Sequence, residues 1–369
     1  MLVAYHALDG ESDGVAIVDA DPASPRFGEV RARYALGVGA APREVFVQGD
    51  TAWVTAEGPL PLLRLGLSAG LDGAPRFTEG IPVDVGANRG AADIWFAPDG
   101  EAAAVTFQGG HGDARDGSVA RFDAAANGAR TAEVRHDEAG APLLWPHGIA
   151  GDARRGQLLV TTFEAPPPYA GVGDTVTSLD PRSLAPLQHW AFEAGSAPVD
   201  IVLPGGALPP YALVATLYGG DIWAAPFEPA RGTYGAFTLA VAGDDAGVAL
   251  PRGLRVHAAH DGELELYVPY ADPGVVHVYG LDSLPDLPLR RTLPAAPGAH
   301  HLTFLRADGR PLAVVQSDGV ALDGADAGTL TVLDVASGEV LATLDLPATE
   351  GIVPVSVTAA FDAPQPLRP

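Results

Sequence analysis

Seven copies of one short pattern, roughly 50 residues apart, predict an all-β, seven-bladed β-propeller. Two further observations agree. Apolar runs are short, about five to seven residues, and are cut by Gly, Pro or Asp-Gly, with no sustained helical periodicity. The last copy has a single strand, while three strands without a copy of their own stand at the front of the chain.

The pattern is a turn carrying Pro or a small residue, one variable position (X), and a short apolar strand. It reads Pro42-Arg43-Glu44-Val45, Ala91-Ala92-Asp93-Ile94, Pro146-His147-Gly148-Ile149 and Pro198-Val199-Asp200-Ile201. It continues as Pro251-Arg252-Gly253-Leu254, Ala299-His300-His301-Leu302 and Pro354-Val355-Ser356-Val357. A second strand follows each copy, as in Trp53-Val54-Thr55-Ala56 and Ala104-Val105-Thr106-Phe107, and Asp99-Gly100 before the latter is a hairpin signal. Third strands end in Asp19, Asp123, Asp180 and Asp334. The seventh copy keeps only its innermost strand near Val355, and residues 2–6, 15–19 and 30–34 supply the other three. Pairing the two ends closes the ring and removes the open edges that invite aggregation. The whole chain, residues 1–369, therefore reads as one propeller.

Composition fits this expectation and excludes several functions. The 369 residues are 47% hydrophobic, with 45 Gly and 34 Pro, as many short strands and turns require. The net charge is −24, and all 22 basic residues are arginine. Such a surface repels phosphate backbones, so nucleic acid is not an expected partner, whereas cations or a basic protein on the acidic surface are. With no cysteine there are no disulfides, thiolate metal sites or Cys nucleophiles. Met1 runs directly into a strand with no apolar leader, and no run is long enough to insert in a membrane, so a cytoplasmic protein is expected. Gly37-Val38-Gly39 lacks the lysine and helix of a phosphate loop, and no serine sits in a Gly-x-Ser-x-Gly elbow.

In such a ring the innermost strands line a central channel, and X stands where each strand begins. Around the rim X reads Arg43, Ala92, His147, Val199, Arg252, His300 and Val355. The following positions read Glu44, Asp93, Gly148, Asp200, Gly253, His301 and Ser356. Ends of second strands, among them His6, Glu57, Glu164, Tyr218 and Asp318, reach the same rim, as does the loop Gly109-Gly110-His111-Gly112-Asp113. Half of the ten histidines thus gather at one end of the channel with carboxylates and arginines. Imidazole and carboxylate suit a divalent transition metal. Alternation along a strand implies that only one of His300 and His301 faces the channel.

The segment Val15-Ala16-Ile17-Val18-Asp19-Ala20-Asp21-Pro22-Ala23-Ser24-Pro25-Arg26-Phe27-Gly28-Glu29-Val30 resembles the opening blade of the selenium-binding protein family, which includes methanethiol oxidases. Pro146-His147-Gly148 and Ala299-His300-His301-Leu302 fit that family's placing of His at the start of blades. The resemblance implies a copper-dependent oxidase of small thiols. His147 and His300 would then be metal ligands, with His111, His6 or His301 completing the set and Glu44, Asp93 and Asp200 orienting the imidazoles.

Three alternatives stand beside it. The His111 loop followed by Pro146-His147-Gly148 is similar to zinc metallochaperone propellers. Gly298-Ala299-His300-His301-Leu302-Thr303-Phe304 is similar to sugar-lactonase propellers, which work without a redox metal. In that reading Arg43 and Arg252 hold an acidic substrate, and His147 or Glu164 transfers protons. The third alternative is a scaffold that binds a protein and does no chemistry.

Overall fold

The structure, a computed structural model, describes residues 1–8, 10–70, 75–110, 116–125, 128–164, 171–206, 208–259, 262–307, 309–317 and 328–360. Seven antiparallel sheets form a ring, the arrangement of a seven-bladed β-propeller. We number the blades by their innermost strands: Pro42–Gln48, Arg89–Phe96, Pro146–Asp152, Pro198–Val202, the pair Ala249–Pro251 and Arg255–Ala258, Ala299–Ala307, and Ile352–Thr358. Each X position lies on one of these strands or, for Arg252, in the gap between the paired pieces of blade 5. Blade 7 is shared by the chain ends: Leu2 pairs with Thr358 and Val3 with Val357, and Asp13–Val18 and Val30–Gly37 complete the sheet. Helices among the described residues are short, such as Gly243–Ala246 and Leu346–Glu350, and none is long and apolar enough to cross a membrane.

The core lies between blades, because each sheet has two faces to bury. Phe46 and Trp53 of blade 1 pack with Ile94, Phe107 and Phe122 of blade 2, and comparable clusters fill the other boundaries. The third-strand aspartates cap the following turns. Asp180 accepts from the Arg182 and Ser183 amides, and Asp334 from the Ser337 amide.

Two polar latches tie adjacent innermost strands. In the first, a second-strand threonine bonds its own blade and the next: Thr106 Oγ1 accepts from the Asp93 amide and donates to the His147 carbonyl at 2.7 Å. Thr55 and Thr161 do the same towards Ala92 and Val199. In blade 6 Gln316 replaces threonine, accepting from the His301 amide and donating to the Pro354 carbonyl. In the second latch, an aspartate after X reaches the next blade. Asp93 accepts from Ile149 N at 2.9 Å and Asp200 from Leu254 N at 2.6 Å. The blades they reach carry glycine after X. A Cβ on Gly148 would stand 2.9 Å from both Val199 O and Asp200 Cα, so glycine there lets blade 3 approach blade 4 closely.

Candidate functional site

The innermost strands begin irregularly, and this positions the site. Ladder pairing skips residues at or around X: Pro42 pairs with Ala56 and the next pair is Val45 with Val54. The same shift occurs at Ala91/Ile94, Pro146/Ile149, Pro198/Asp200 and Ala299/Leu302, and opposite Ala4/Tyr5 in blade 7. Two residues before X, the backbone is left-handed in six blades, at Ala41, Gly90, Trp145, Ala197, Leu250 and Gly298. Four of these are not glycine and carry strain that the surrounding structure must hold. A bulge suspends strict alternation. As a consequence both His300 and His301 line the channel cavity, as do both Arg43 and Glu44. The expectation that only one of the two histidines faces the channel is corrected by this irregularity.

The cavity at this rim has a volume of about 180 Å³. His6, Arg43, Glu44, His147, Arg252, His300 and His301 contribute its polar wall, and Ala92, Val199 and Val355 fill the X positions between them. Chemistry-bearing residues from five blades, separated widely in sequence, thus meet in one space.

His147 is fixed from two sides. Its Nδ1 lies 3.0 Å from the Val199 carbonyl, and its ring centroid lies 4.7 Å from that of Phe163. A carbonyl can only accept, so Nδ1 carries the proton and Nε2 is the acceptor nitrogen. Burial, then the positive charge of Arg43, lower its pKa to about 3, against the opposing Val199 bond. The imidazole is neutral at ordinary pH. His301 is buried, its Nε2 is 4.0 Å from Glu44 Oε1, and its ring centroid is 4.0 Å from that of His300. Burial, then the neighbouring His300 and Arg255, hold its pKa well below the usual histidine value.

Glu44 is the complementary case. Burial and then Asp93 raise its pKa to about 8, with Arg255 opposing, so it keeps its proton at neutral pH. Below it the channel is crossed by a band of charge. Arg255 Nη1 is 3.3 Å from Asp200 Oδ2 and donates to the Leu254 carbonyl at 2.9 Å. Burial pulls the Arg255 pKa down, but Asp200, Glu44 and Asp93 outweigh it and raise the pKa. Asp93 and Asp200 each also accept from the amide of the residue that follows them, in addition to the latch bonds. Arg255 carries no signal in the repeat, since it stands three places beyond X. Below the band, the far end of the channel is a smaller cavity of about 90 Å³ walled by Phe46, Trp95, Ile201 and Leu254.

The two cavity arginines are held differently. Arg43 gives Nε and Nη2 to one oxygen of Glu57, at 2.8 and 2.5 Å, while its Nη1 is buried without a partner among the described residues. Arg252 has no ion pair among the described residues, and its Nε is likewise buried without a partner. Other candidates lie apart or outside. His6 lines the cavity with Nδ1 3.7 Å from Asp13. Glu164 is not part of the cavity wall; it accepts from the Tyr218 hydroxyl. His111 and Asp318 lie outside the described residues.

Among the described residues no three His, Cys, Asp or Glu side chains are grouped so as to hold a metal ion. His111, one of the ligands that the resemblance implies, lies outside those residues.

No protein-family model matches the chain, and no curated protein matches it. Solved structures share the fold. A hypothetical selenium-binding protein from Sulfolobus tokodaii aligns with a TM-score of 0.66 at 10% identity, over 86% of this chain and 82% of that one. A candidate 6-phosphogluconolactonase from Bacteroides uniformis aligns with a TM-score of 0.60 at 13% identity, over 96% of each chain. The periplasmic gluconolactonase of Pseudomonas aeruginosa aligns with a TM-score of 0.52 at 20% identity, over 81% of this chain and 80% of that one. At these identities the likeness concerns the fold alone.

Proposed function

We propose that the chain is a metal-independent hydrolase of small acidic lactones, working in the cavity at the upper rim. One observation carries the reading: two arginines with buried, unpartnered N–H groups share a cavity with a neutral imidazole whose acceptor nitrogen is fixed by its tautomer. Buried unpaired guanidinium donors are costly unless a ligand satisfies them, and carboxylate or phosphate oxygens match them best. Two of the similar structures carry lactonase names, which agrees with this reading.

The chemistry asks little of the cavity. Water approaches the lactone carbonyl, and His147 Nε2 takes its proton as the C–O bond forms. The carbonyl electron pair moves onto oxygen, where an arginine N–H meets it. When the ring C–O bond breaks, the departing oxygen takes the proton from His147. Burial and then Arg43 depress the imidazole, and Arg252 adds a smaller contribution, which a bound anion offsets.

The test is hydrolysis of a panel of acidic sugar lactones at constant pH by chelator-treated protein and by His147→Ala. The expected result is turnover that survives chelation and falls about 100-fold in the variant. No turnover of any lactone, together with near-stoichiometric copper or zinc in untagged protein, would replace this reading with the metal-centred one.

A further inference from the structure

We propose that the two cavity arginines divide the work: Arg252 anchors the one anionic group of a monoanionic substrate, and Arg43, clamped by Glu57, donates to the carbonyl oxygen as it becomes an oxyanion. The division rests on the hydrolase reading above.

The asymmetry of pairing carries it. Glu57 takes one edge of Arg43 through both Nε and Nη2, which balances the charge and fixes the plane of the guanidinium. A balanced guanidinium gains little from drawing an anion out of water. It remains a rigid donor through Nη1, which suits an oxygen whose charge appears only during reaction. Arg252 has no carboxylate partner among the described residues, so it offers the full attraction of a single cation to a single anion.

Arg43 stands in blade 1 and Arg252 in blade 5, two blades to either side of His147 in blade 3, so both reach the space beside the proton acceptor. The difference in pairing therefore assigns the roles: the clamped Arg43 is the donor at the reacting centre and Arg252 the one at the remote end. Glu57 is then a positioning residue, because it acts through Arg43.

The experiment compares Arg43→Gln, Arg252→Gln and Glu57→Gln on D-glucaro-1,4-lactone, which carries a free carboxylate, and D-glucono-1,4-lactone, which does not. Melting temperature serves as the folding control. Arg252→Gln should raise KM for the acidic lactone about 30-fold, keep kcat within about threefold and leave the neutral lactone unaffected. Arg43→Gln should lower kcat on both lactones about 100-fold with little change in KM, and Glu57→Gln should lower kcat in the same sense by less. Equal effects of Arg252→Gln on both lactones, or an effect of Arg43→Gln on KM alone, would overturn the division. Calorimetric binding of gluconate reads the anchor without turnover. Loss of about 30-fold in Arg252→Gln but not in Arg43→Gln supports the anchor, and the reverse order overturns it. If gluconate follows the expected order while no lactone is hydrolysed, the hydrolase reading and the oxyanion role of Arg43 fail together, and the anchor stands.

Discussion

The Nδ1–H of His147, in blade 3, donates to the carbonyl oxygen of Val199, in blade 4, at 3.0 Å. One hydrogen bond thus joins the fold to the chemistry: it crosses a blade boundary and also decides which ring nitrogen can accept a proton.

His147 should make the protein sensitive to acid. Its folded pKa of about 3 lies below the ordinary 6.5, so between those values the unfolded chain binds a proton that the folded one refuses. Stability attributable to this group is complete above about pH 6.5 and falls as pH drops towards 3. Thermal melts from pH 7 to pH 4 should show wild type losing about 2 kcal/mol more than His147→Gln.

Glu44 works with the opposite sign. Its folded pKa of about 8 lies above the ordinary 4.5, so the folded state holds the extra proton in that window. Stability from this group is complete below about pH 4.5 and is lost as pH rises through 8. Glu44→Gln should match wild type near pH 5 and exceed it by about 2 kcal/mol at pH 9 in urea denaturation.

Asp200 should carry part of the stability of the ring. It accepts from the Ile201 and Leu254 amides and lies 3.3 Å from Arg255 Nη1. Asp200→Ala should cost about 1–3 kcal/mol in equilibrium unfolding, because two amides lose their acceptor. A cost below about 0.5 kcal/mol would mean that this latch does not hold blades 4 and 5 together.

The threonine latches offer an internal control. Thr106→Val and Thr161→Val each remove a buried hydroxyl that bridges two blades and should cost about 1–2 kcal/mol. In blade 4 the latch position is held by Ala215, and the next residue, Thr216, which pairs with Pro198, has a buried hydroxyl without a partner among the described residues. Thr216→Val should therefore be neutral or stabilising in the same thermal melts.

Much of the architecture is legible before any coordinates. The recurring turn and X pattern marks where seven innermost strands begin, and the lone strand at Val355 asks for the N-terminal strands that it meets. The second latch is not read there: Asp93 and Asp200 are expected to orient imidazoles, and the bonds shown for them include amides of the next blade. What misled was alternation: strand periodicity assigned His300 and His301 to opposite faces, and the bulge between Ala299 and Leu302 turned both into the cavity. Glu164 reaches the rim in sequence terms yet spends its carboxylate on Tyr218.

The number of blades, the closure of the ring and the gathering of Arg43, His147, Arg252 and His300 at one rim follow from a period along the chain and can be read from it. That Glu57 balances Arg43 while Arg252 has no ion pair among the described residues, that Arg255 neighbours Asp200, and that His147 presents Nε2 as its acceptor are facts of the tertiary structure. These relationships depend on side-chain distances of about 3 Å, several of them between blades, and a repeat fixes where each strand starts without fixing what its neighbour offers across the gap.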